Sequence, residues 1–152
     1  MAFNKDKRQK ITGRREEGKF AGIPCVVMVS ENWRRLSPSA IKLALEFAYQ
    51  FNGINNGDLT AAYSILRQRG WKSQNTINMA IKELIHYNFV IKTRQGDLMK
   101  RPNLFALTWY AVDENRGKMD LYSYTAKPPG TWRDTVPTFD RRTAPKLIRR
   151  KK

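Results

Sequence analysis

Apolar residues recur at helical spacing in three blocks between residues 40 and 87, and the pattern then changes to that of strands. In the first block Ile41, Leu43, Ala44, Leu45, Phe47, Ala48 and Phe51 cover a broad face. Ser37-Pro38 supplies a capping hydroxyl and a proline at the first helical position, and Asn52-Gly53 is a stop. This helix is nearly apolar all round and is expected at the centre of the core. A second helix is expected over 60–69, with Ala61, Ala62, Ile65 and Leu66 at helical spacing and Gly70 closing it. After Trp71-Lys72, Ser73 can cap a third helix over 73–87. Its face of Ile77, Ala80, Ile81, Leu84 and Ile85 opposes one of Asn75, Asn78, Met79, Lys82 and His86, and Asn88 ends it.

Beyond Asn88 the residues favour strands. Residues 89–94 and 103–109 predict a hairpin with its tip at about 95–102. Upstream, the β-branched run 23–29 suits a strand or an extended segment, with Cys25 as a buried thiol, and Ser30 can cap one helical turn before Leu36. A chain of 152 residues with 41% hydrophobic residues has material for one core of ordinary size. The expected organisation is a basic tail over 1–20, one domain over 21–125 with its core at 37–109, and a proline-containing basic arm over 126–152.

Charge narrows the partners. The net charge is +16, which points to a polyanion and first of all to nucleic acid. Residues 1–20 carry seven Lys/Arg against three acids and residues 126–152 carry nine against two, so eleven of the sixteen net charges sit at the two ends. The arm reads as extended or disordered, with Trp132 and Phe139 as apolar anchors that could pin it to the domain. No apolar run is long enough to span a bilayer, and the basic start has no apolar stretch behind it, so neither a membrane span nor a secretory signal is expected. The expected location is the cytoplasm, on the nucleoid or in a host cell.

Helix, helix, tight glycine-containing turn, helix and hairpin is the order of a winged helix-turn-helix, an α+β fold in which the hairpin is the wing. In such motifs the start of the second helix of the pair meets base edges in the major groove. Here those residues are Ser73, Gln74, Asn75, Thr76 and Asn78. Asn and Gln can bond adenine bidentately, and Ser and Thr donate or accept. Lys72 and Lys82 suit phosphates, and Arg94, Lys100 and Arg101 on the wing could clamp the backbone or enter the minor groove. Trp71 and Trp109 read as core or hinge packing rather than as stacking platforms. His86 lies where a helix dipole favours its cation, a mild electrostatic role.

The run LSPSAIKLALEFAYQFNGINNGDLTAAYSILRQRGWKSQNTINMAIKELIHYNFVIKTRQG, followed by NLFALTW, resembles winged-helix proteins of bacteria, phages and plasmids, including the N-terminal domains of plasmid replication initiators and small helix-turn-helix regulators. The resemblance covers about residues 37–109. It implies a winged helix that binds double-stranded DNA through residues 72–82 and the wing at 94–101; the biological role does not follow from the fold, and a transcriptional regulator or a replication-associated factor is the expectation. RNA binding with ribosome association, and a structural or adaptor role in a phage, stay open beside it. Scattered acids and the lack of a nucleophile motif or a P-loop speak against an enzyme. One Cys and one His leave a metal site short of ligands. No cofactor, metal or small-molecule substrate is expected, and the apolar stretches 23–29 and 121–124 leave a homodimer open.

Overall fold

The computed structural model describes residues 19–97 and 101–144. The chain runs through α1 (Cys25–Met28), α2 (Glu31–Arg34), α3 (Pro38–Gln50), β1 (Leu59–Thr60), α4 (Tyr63–Leu66) with a 3-10 turn at Arg67–Arg69, α5 (Gln74–His86), β2 (Val90–Arg94) and β3 (Leu104–Leu107). Single 3-10 turns follow at Asn115–Gly117 and Thr131–Arg133. The three strands form one antiparallel sheet in the order β1-β3-β2, so the fold is a mixture of helices and antiparallel sheet.

The two long helices begin and end as their sequences dictate. Ser37 Oγ accepts from Ala40 N (3.3 Å) at the start of α3, and Ser73 Oγ accepts from Thr76 N (3.4 Å) at the start of α5. At the end of α5, Asn88 takes the left-handed conformation, Asn88 N donates to Ile85 O and Phe89 N donates to Leu84 O. That pair of bonds is the Schellman stop, which an asparagine supports without the steric cost most residues would meet. Leu43, Ala44 and Phe47 of α3 are buried with Ile77, Ala80 and Leu84 of α5, above Leu59, Phe89, Phe105 and Leu107. Phe47 and Phe105 join helix to sheet at a ring separation of 5.4 Å. All four residues of β3 are buried because it is the central strand.

Several expectations are corrected. Residues 25–28 are helical rather than extended, because Val27 alone of them turns into the core while Cys25 is exposed and not buried. α3 is central to the core as expected but is not buried all round: Leu45 and Tyr49 are exposed, and the buried Glu46 is paired with Arg69. The second helix starts at Tyr63 rather than residue 60. Leu59 and Thr60 pair instead with Phe105 and Leu104, and the Gln50 amide holds Thr60 from the other side, donating to its carbonyl and accepting from its N–H (both 2.9 Å). Ile65 and Ile85, both placed at core spacing, are partly exposed.

The C-terminal arm is corrected in part: residues 130–141 are docked rather than disordered, and the two apolar anchors expected from the sequence hold them. Trp132 is in the core and Phe139 packs against it. The buried Asn32 donates to Trp132 O (3.1 Å) and Asp134 O (2.8 Å), and Arg35 donates to Val136 O (2.9 Å). Of the arm's nine basic residues, Lys127, Arg133, Arg141 and Arg142 fall within the described residues.

Candidate nucleic-acid interface

The turn before α5 sets the helix's direction. Gly70 adopts φ +85°, and its neighbour Trp71 donates its backbone N–H to Leu66 O (3.2 Å). Trp71 then inserts its ring into the core, with Lys42 Nζ 4.9 Å above the ring. Tyr63 closes the same corner by donating its hydroxyl to Lys72 O (3.2 Å). Trp71 and Trp109 are both buried, so neither ring offers a face to a base.

The first turns of α5 carry the polar residues outward. Lys72, Gln74, Asn75 and Thr76 are exposed, while Ser73 and Asn78 are half-buried. Gln74 donates its side-chain amide to Asn78 Oδ1 (3.0 Å), which leaves an acceptor on Gln74 and a donor group on Asn78 pointing away from the bond. Lys82 is half-buried one turn further on. His86 donates Nε2–H to Pro137 O (2.6 Å), a contact that sequence spacing did not suggest.

Beside this helix stands the hairpin. A register shift between Lys92 and Arg94 bulges Thr93, whose buried hydroxyl donates to Gly57 O (2.6 Å). Arg94 bridges the tip by donating Nε and Nη2 to Pro102 O (3.3 and 3.1 Å). Arg101 pairs with Asp97, and the hydrogen bond to that carboxylate, then its charge, raises the Arg101 pKa further. The two described arginines therefore brace the hairpin, and Lys100 lies outside the described residues. Gly96 is required for close approach: a Cβ there would meet Arg101 O at 2.6 Å and Asn103 N at 2.9 Å.

An open groove of about 380 Å³ separates α5 from the tip. Gln74 and Asn78 line one side, and Gln95, Asp97, Arg101 and Asn103 the other. The structure thus brings Gln74, Asn78 and Arg101 around one groove. Lys72, Ser73, Asn75, Thr76 and Lys82 lie on or beside the adjoining polar face of α5, outside that lining. Sequence reasoning missed Tyr63, Gln95 and Asn103. A polar pair flanking the tip, Gln95 before Gly96 and Asn103 after Pro102, was the available signal for the last two.

Among the described residues no group of three or more His, Cys, Asp or Glu is placed to hold a metal ion, and no helix is long and apolar enough to cross a membrane. Comparison with family models, curated proteins and solved structures gives no match to this chain.

Proposed function

We propose that this chain is a DNA-binding protein of winged helix-turn-helix architecture, acting as a transcriptional regulator or a replication-associated factor. The order helix, strand, helix, helix, strand, strand from α3 to β3, with β3 in the middle of the sheet, supports the architecture. In this reading α5 enters the major groove and the hairpin is the wing. One observation carries it: the start of α5 turns a hydrogen-bonding face of amides and hydroxyls outward beside a hairpin bearing Arg101, on a chain of net charge +16. A helix fits the major groove, whose edges distinguish all four base pairs by donors and acceptors such as these. The segments outside the described residues add twelve Lys/Arg against three acids, which suits phosphate attraction.

The test is selection of bound sequences from a random duplex pool, followed by competition with structured RNA of equal length. Recovery of a shared motif, with duplex displacing the probe better than RNA, supports the reading, and a symmetric motif adds dimeric binding. Stronger displacement by RNA overturns it in favour of an RNA-binding role. Binding to neither leaves the adaptor role.

A further inference from the structure

At 100° per residue the outward face of α5 is centred on Asn75, Asn78, Lys82 and His86. Gln74 and Ile81 lie on one flank of that face, Met79 and Glu83 on the other. The hairpin borders the first flank across the groove already described. The C-terminal segment borders the second. His86 donates to Pro137 O (2.6 Å), its ring is 5.3 Å from that of Phe139, and Phe139 N donates to Tyr87 Oη (3.0 Å). One turn back, Arg141 Nη2 lies 3.6 Å from Glu83 Oε2. The side chains of Arg141 and Arg142 are 56% and 91% exposed, the latter within 3.4 Å of Asp140 Oδ1.

We propose that residues 137–142 form a second backbone clamp, presenting Arg141 and Arg142 to DNA phosphates on the side of α5 opposite the hairpin. A helix about 10–12 Å across fills a groove about 12 Å wide, so its two flanks face the two different phosphate strands. The hairpin has one flank and the docked segment has the other. The anchoring matters because it fixes the position of the charges: His86 and Tyr87 hold the segment through its backbone at Pro137 and Phe139, and Asn32 and Arg35 hold the residues just before it at Trp132, Asp134 and Val136. This inference rests on the DNA-binding reading above.

The experiment measures affinity of the full chain for a 30-base-pair duplex as a function of salt. R141A/R142A is expected to lower affinity about tenfold near 0.1 M salt and to flatten the slope of log K against log salt by about 1.8, two contacts at about 0.9 each. Phe139→Ala keeps every charge but loosens the segment, so trypsin should cut after Arg141 and Arg142 faster and affinity should fall. Wild-type affinity and slope in R141A/R142A overturn the clamp, as does a Phe139→Ala chain that is cut faster yet binds unchanged. Should Phe139→Ala lose its helical circular dichroism, the double arginine variant decides alone. A wild-type chain without salt-dependent duplex binding overturns the DNA-binding reading itself, which separates that failure from failure of the clamp.

Discussion

Glu83, in the last turn of α5, caps α3: its Oε1 accepts from Ser37 N (2.6 Å) and its Oε2 from Ser37 Oγ (2.7 Å). The carboxylate is buried, and it meets the end of α3 where unsatisfied N–H groups and the helix dipole favour negative charge. Two helices that pack side by side through apolar residues are thereby also fixed against sliding. Glu83→Ala should cost about 1–3 kcal/mol, since it leaves the part-buried Ser37 N–H without its partner as well as removing the carboxylate. Urea denaturation checks this, and a loss below about 0.5 kcal/mol would mean that the cap contributes little.

Asn56 does comparable work at the end of the sheet. Fully buried, it accepts from Leu107 N (2.7 Å) and donates to Leu107 O (2.9 Å) and Ala111 O (2.9 Å), so its side chain bonds Leu107 as a neighbouring strand would. Asn56→Ala should destabilise by about 2–4 kcal/mol, and Asn56→Asp should also be costly because it lacks the donor. Hydrogen exchange at the Leu107 amide reports the local part of the effect, and the expected result is faster exchange there.

On the proposed reading helix, Asn75→Ala and Asn78→Ala should each weaken binding to a selected site by about 1–3 kcal/mol while barely changing affinity for random duplex. Neither removes charge. Because Gln74 donates to Asn78, the Asn78 variant should also disturb Gln74, so Gln74→Ala and Asn78→Ala should combine less than additively. Equal losses on selected and random duplex would rule out base readout by this face.

Gly96→Ala should open the hairpin tip, since the new Cβ would collide with backbone at Arg101 and Asn103. Arg94 and Asp97 would then lose their bracing partners across the loop. The expected result is a small loss of global stability with faster exchange at 95–103. In the DNA-binding reading, affinity for duplex of any sequence also falls. Unchanged exchange would mean that the tip adapts without cost.

Two truncations separate the charge of residues 145–152 from the docked part of the arm. Deleting residues 145–152 removes five Lys/Arg without touching the described core, so the melting temperature should hold while the salt slope of duplex binding flattens. Deleting residues 126–152 also removes Trp132 from the core and should lower the melting temperature sharply. Equal melting temperatures for the two truncations would show that Trp132 adds nothing to stability.

That contrast marks where the sequence was readable. α3 and α5 were legible because periodicity, caps and stops agree locally: Ser37 and Ser73 at the starts, Asn88 at the end of α5. β1 was not, because two residues pair only through the distant Phe105 and Leu104, and helix-compatible residues follow them. For the C-terminal segment the anchors Trp132 and Phe139 were legible, but its polar partners escaped for the same reason, since Asn32 lies about a hundred residues upstream. At the candidate interface the polar positions on α5 could be named in advance. That Arg94 and Arg101 are committed to Pro102 and Asp97 could not, because those bonds depend on how the tip closes.

The exposed thiol of Cys25 has a practical consequence for work on self-association. As the single cysteine of the chain it can form a disulfide only with another molecule, so disulfide formation between two copies gives a covalent pair joined through α1. Such a pair would migrate as a dimer whatever the chain does when reduced. Sedimentation in reductant, or with Cys25→Ser, separates native assembly from this by-product, and the same thiol offers a one-site attachment point for a spectroscopic label.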